Sequence, residues 1–233
     1  MPEATFALHT CPLCTAQHEG FFKVCLDCTQ KAEETRLEQE QIAVQQRKAA
    51  AWLELCPANY RKTDWQLFEQ YPKLNPTCAH VAATWWPRND GMGLGLNGPS
   101  GIGKTRAMWE ILKRLHFSGR KIVALDAIAL EQAAADRHHS TVSENHAARR
   151  LIDRAKRAGI LYLDDIGKEK ATPSVAKVLH DVIETRTRDR LVTLWTSERD
   201  GVELALRFGL DYGDGIVRRL REFSHIPEIS IPE

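Results

Sequence analysis

One octapeptide constrains this chain more than any other feature: Gly98-Pro99-Ser100-Gly101-Ile102-Gly103-Lys104-Thr105. A short apolar run, Gly93 to Asn97, leads into it, and Lys104 to Phe117 reads as the helix that follows. The glycines let backbone N–H groups turn inward and come close to phosphate oxygens. A helix that starts at the loop turns its positive dipole end toward the same anion. Lys104 adds a point charge for the β and γ phosphates, and the Thr105 hydroxyl is placed to ligate Mg²⁺. A loop so built holds a nucleotide, with ATP and Mg²⁺ as the expected pair. It also dictates a strand–loop–helix unit in a parallel α/β sheet.

A second strand completes the expectation. Ile160-Leu161-Tyr162-Leu163 is wholly apolar, as a central parallel strand is, and it ends in Asp164-Asp165. Strands of such sheets point their carboxyl ends at the ligand crevice. Asp164 is the expected Mg²⁺ partner through its water shell. Asp165 is placed to orient or deprotonate an attacking water, with Glu169 in reserve. Further strands are expected at Lys121 to Leu125 and Leu191 to Thr196, and helices at Ala147 to Ala158 and Val175 to Arg188. The predicted fold is α/β: a three-layer αβα sandwich around a parallel sheet.

Ahead of this core lie Cys11-x-x-Cys14 and Cys25-x-x-Cys28, two knuckles whose spacing suits four thiolates on tetrahedral Zn²⁺. No basic leader with an apolar stretch opens the chain, no run is long enough to span a membrane, and a reducing cytoplasmic setting is expected, which favours metal ligation over disulfides. Phe21, Phe22 and Val24 offer only a minimal core, so the metal would supply the stability of the segment. Residues 30–55 contain no Gly or Pro and are rich in Glu, Gln, Lys and Ala, which reads as a largely solvated linker helix or a docking helix for a partner. The expected organisation is a zinc module over 1–29, this helix over 30–55 and the nucleotide domain over 56–233. Cys56 and Cys78 read as buried thiols.

The chain carries 32 Lys and Arg against 31 Asp and Glu, so global charge names no nucleic-acid partner. Locally, Arg137-His138-His139 and Arg149, Arg150, Arg154, Lys156 and Arg157 form a basic stretch that reads either as a solvated helix face or as a contact for a phosphate backbone. Trp85-Trp86 reads as packing or as a stacking platform.

The blocks Leu161 to Glu169 and Ile216 to Glu222, with the lead-in Cys56-Pro57-Ala58-Asn59-Tyr60-Arg61, resemble the AAA+ family, and within it the DnaC/IstB-like helicase loaders and transposition ATPases. The resemblance covers roughly Cys56 to Ile231. It implies the AAA+ strand order, base contacts from Tyr60 and Arg61, single-stranded DNA held near the basic stretch, and self-association through the ATP site. An arginine finger would reach a neighbour's nucleotide; Arg219 fits that position best and Arg218 next. One departure stands out: Glu198 occupies a sensor position where the family commonly has Asn. A carboxylate repels phosphate, so either Ser197 or Thr196 takes the sensor role or hydrolysis is slow. Residues 223 to 233 are too few for a full helical lid. The implied function is an ATP-dependent loader of a replicative DNA helicase, with a weak ATPase stimulated by DNA or assembly. The rival readings are an IstB-like transposition ATPase and a zinc-containing adaptor that uses ATP as a switch.

Overall fold

The computed structural model describes residues 7–20, 22–64, 66, 68, 74–137 and 142–229. The chain divides into two units, Met1–Ala51 and Trp52–Glu233. In the first, β1 (Ala7–Thr10) and β2 (Gln17–Gly20) form an antiparallel hairpin with His9 opposite His18. Its turn contains Cys11 and Cys14. Cys25 and Cys28 stand at the start of α1 (Leu26–Leu55). Leu37, Ile42 and Val44 on α1 are exposed. No described helix is long and apolar enough to cross a membrane.

The second unit opens with the last turn of α1, where Trp52 is buried edge-on against Trp109. The chain continues through a 3-10 turn (Ala58–Tyr60), α2 (Pro76–Thr84), β3 (Gly93–Asn97), α3 (Lys104–Phe117), β4 (Ile122–Asp126) and α4 (Ala127–Asp136). Then come α5 (Val142–Arg157), β5 (Ile160–Asp164), α6 (Pro173–Arg188), β6 (Val192–Ser197), α7 (Gly201–Phe208), α8 (Gly213–Glu222) and the short edge strand β7 (Ser224–His225). The sheet runs β4-β5-β6-β3-β7, every pair parallel.

Strand alternation builds the two faces. On β5, Ile160 and Tyr162 enter a core shared with α2 and α3, while Leu161 and Leu163 enter one formed by α4 to α8. The result is the three-layer sandwich expected from the sequence. Gly95 lies opposite Trp195 in the β3–β6 register, and a Cβ there would come within 2.2 Å of the indole, so only glycine admits that ring. The helices α2, α4 and α7 went unread in the sequence although each has a side-chain N-cap: Asn75, Asp126 and Asp200. The helix expected from Ala147 starts five residues earlier, at Val142.

Candidate functional site

The Gly98–Thr105 loop joins β3 to α3. Gly98, Gly101 and Gly103 all have positive φ. Gly103 has φ 93°, a left-handed conformation that glycine adopts without strain, and a Cβ there would also meet Leu74 Cδ1 at 2.0 Å. From α2's cap, the Asn75 N–H donates to the Ile102 carbonyl at 3.0 Å and braces the loop. The Lys104 ammonium is nearly buried and donates to the Gly98 and Pro99 carbonyls at 2.7 and 2.8 Å. Burial lowers its pKa, opposed by the nearby charges of Glu198 and Asp165.

Asp164 ends β5, two strands away from β3. Its Oδ1 accepts three hydroxyl hydrogen bonds: from Tyr162 at 2.6 Å, Thr196 at 2.6 Å and Thr105 at 3.0 Å. The two residues expected to serve Mg²⁺, Thr105 and Asp164, are thus in direct contact, which suits a shared hard cation and its water shell. Tyr162 is buried, and desolvation beside Asp164 pushes its phenol well above the usual range. The Thr196 hydroxyl also accepts from the Asp165 N–H at 2.8 Å, tying β6 to the turn after β5.

Asp165 sits at φ 57°, a left-handed conformation that Asp tolerates better than most residues. Its Oδ2 accepts from Lys168 Nζ at 2.8 Å, and the same ammonium lies 3.0 Å from Glu198 Oε1. Hydrogen bonding to Asp165 raises the Lys168 pKa, and hydrogen bonds from Lys168 and then Ser100 hold Glu198 below the ordinary carboxylate range. Neither Tyr162 nor Lys168 was read from the sequence as a site residue. Their signals are spacing: Tyr162 shares a strand face with Asp164 at i−2, and Lys168 follows Asp165 by three residues in a turn.

Several of the expected site residues have partners within the chain. Ser197 is buried and its hydroxyl donates to the Ile166 carbonyl at 2.8 Å, while the Thr196 hydroxyl donates to Asp164. Glu169 is 1% exposed, with Oε2 accepting from the Gly167 N–H at 2.8 Å, and burial raises its pKa. The Arg61 guanidinium donates to the Leu53 and Cys56 carbonyls at 2.7 and 3.0 Å, bracing the end of α1. Tyr60, in the 3-10 turn, stacks on Trp109 of α3 with Arg106 over its ring. Arg219 is ion-paired to Glu184 of α6 and also donates to the Gly215 carbonyl, whereas Arg218 is exposed.

On α5, Arg149, Arg150, Arg154 and Arg157 are exposed and make no ion pair among the described residues; Lys156 instead contacts Asp181 at 2.5 Å. His138 and His139 lie outside the described residues. Cys56 and Cys78 are buried thiols, pushed up to about 11 by desolvation.

In the first unit, the Sγ atoms of Cys11, Cys14, Cys25 and Cys28 all lie within 4.8 Å of one another. Zn–S bonds of about 2.3 Å at tetrahedral angles require sulfur atoms about 3.8 Å apart, so the four residues fit the ion. Backbone donation from Cys25 lowers Cys11 to about 6, while Cys28, hydrogen-bonded to Cys14, is pushed up to about 12. A divalent cation would relieve that mutual repulsion of thiolates.

Residues 93–207 match the AAA domain family, dynein-related subfamily. Among solved structures, DnaI is similar with a TM-score of 0.55 at 21% identity, covering 76% of this chain and 93% of that one. The DnaC helicase loader gives 0.56 at 18% identity, covering 75% and 100%. The replication initiator DnaA, bound to AMPPCP and single-stranded DNA, gives 0.53 at 15% identity, covering 76% and 51%. No curated protein matches the chain by sequence. Phosphate loop, acidic strand end, sheet order and the match over residues 93–207 agree: the chain has the AAA+ P-loop fold that the solved structures of DnaC and DnaI have.

Proposed function

We propose that the chain is an ATP-dependent loader that delivers a replicative DNA helicase onto DNA, hydrolysing ATP at interfaces between its own copies. The observation that carries this reading is the extent of the fold match, which takes in the whole of the DnaC helicase-loader chain. Gly98 to Lys104 would cradle the phosphates, and Thr105 with Asp164 would hold Mg²⁺, which supplies charge neutralisation at the transferring phosphoryl group. Asp165 orients the attacking water. Arg218, exposed on α8, is the residue offered to the neighbour's site, and Arg219 keeps α8 seated on α6 through Glu184. The exposed arginines of α5 would neutralise a single-stranded DNA backbone. Cys11, Cys14, Cys25 and Cys28 would hold one Zn²⁺. Glu198 at the loop favours a second reading, an ATP-switch adaptor with little hydrolysis, because a carboxylate opposes the developing phosphate charge.

The test combines the purified chain with the replicative helicase of the same cell, closed circular single-stranded DNA and ATP. Helicase retained on DNA should rise several-fold with the wild type and return to background with Lys104→Ala. A helicase that neither binds the chain nor gains DNA retention would sink the loader reading.

A further inference from the structure

A carboxylate beside a triphosphate loop poses an electrostatic problem that the fold answers locally. Glu198 follows Ser197, which lies opposite Asn97 in the β3–β6 register and whose carbonyl accepts from the Gly98 N–H of the loop at 3.2 Å, so the acid stands where β6 meets the phosphate loop. Asp165 is the second acid facing that region. Both acids converge on a single cation: Lys168 Nζ lies 2.8 Å from Asp165 and 3.0 Å from Glu198. The lysine stands on the turn between β5 and α6, and its backbone N–H also closes on the Asp165 carbonyl at 3.1 Å. Its side chain is 49% exposed, so it has no packing duty that would otherwise explain its place.

We propose that Lys168 is a positioning residue that neutralises Glu198 and Asp165 and so lets this site accept a nucleoside triphosphate in preference to a diphosphate. The inference rests on the phosphate-loop reading. With the inner phosphates held by the loop and Lys104, a diphosphate would end short of the acids, whereas a triphosphate would bring further negative charge toward them. Like charges that close repel appreciably even at the effective dielectric of a protein surface. With Lys168 bridging, the pair of acids carries one compensated charge, and Asp165 keeps a fixed direction for its role toward water. Without it, Glu198 would act against the terminal phosphate and much less against the inner two.

The experiment measures, by calorimetry, the affinity of ADP and of a non-hydrolysable ATP analogue for the wild type, Lys168→Ala, Glu198→Gln and the double variant. Lys168→Ala should weaken the triphosphate about tenfold and the diphosphate less than about twofold, the scale expected for one uncompensated charge at a half-exposed site. In the double variant, which restores the wild-type net charge at these three positions, triphosphate affinity should return to within about twofold of wild type, a rescue that a merely structural lysine would not show. Lys168→Arg should stay near wild type, which separates charge from folding. Equal loss for both nucleotides, or no rescue by Glu198→Gln, overturns the proposal. Lys104→Ala serves as the independent control: it should abolish binding of both nucleotides, and its failure to do so would instead overturn the phosphate-loop reading.

Discussion

Asp165 and Glu169 stand four residues apart on one turn and meet opposite surroundings. Asp165 is partly open and salt-bridged to Lys168, whereas Glu169 is buried, with Oε2 on the Gly167 N–H and Oε1 without a partner. In the proposed mechanism the first is the acid offered to water. Asp165→Asn should leave nucleotide affinity near wild type and slow steady-state ATP turnover by about 10² or more, the lower end for loss of a positioned base. Glu169→Gln should retain turnover within about twofold of wild type, a result that a hydrolysis assay on both variants checks directly. Stability moves the other way round. Desolvation raises the folded-state pKa of Glu169, so the folded chain binds its proton more tightly than the unfolded one. That contribution is fully present below the unfolded value and is lost as pH rises through the folded value. The melting temperature of Glu169→Gln relative to wild type should therefore be highest near neutral pH and decline on acidification.

At the scale of elements, three arginines satisfy helix ends that the helices cannot satisfy themselves. Arg61 serves α1. Arg114 of α3 donates to the Ala82, Ala83 and Trp85 carbonyls that end α2. Arg186, fully buried on α6, donates to Ala155, Lys156 and Ala158 at the end of α5, to the Val192 carbonyl and to the Thr193 hydroxyl. Burial lowers its pKa to about 9. None of this was legible in the sequence, because a basic residue in a helix's last turn reads the same whether it meets solvent or a neighbouring helix. Lys168 and Tyr162 escaped for the same reason: their partners are set by turn and sheet geometry. What was legible rests on local patterns, namely the glycine spacing of the phosphate loop, the apolar run that ends in Asp164, and the four cysteines. The last of these patterns can be tested alone. Protein purified without chelator should contain one Zn²⁺ per chain by elemental analysis, and Cys25→Ser should lose most of it. Full zinc content in that variant would refute the ligand assignment.

For the whole molecule, the question is whether a catalytic charge crosses from one copy to the next. Arg218 is exposed on α8, and the neighbouring α7 exposes Val202 and Leu206, so this arginine stands at the edge of an apolar strip. Arg219 is spent inside its own copy, on Glu184. The two therefore differ in a mixing experiment. Lys104→Ala and Arg218→Ala should each be inactive alone. Combined in equal amounts, on the order of a quarter of the interfaces would pair an intact loop with an intact neighbouring arginine, and those should recover ATP turnover, since a guanidinium supplied in trans serves the partner's phosphoryl group. Arg219→Ala should not be rescued by the same mixture, because the contact it loses lies within one copy. Turnover should also climb with protein concentration and with single-stranded DNA if both promote assembly. Rescue of Arg219→Ala with none of Arg218→Ala would reverse the assignment of the two arginines. A mixture that co-assembles and rescues neither would mean that the site is complete within one chain, and the switch-adaptor reading that Glu198 favours would then take precedence over the loader.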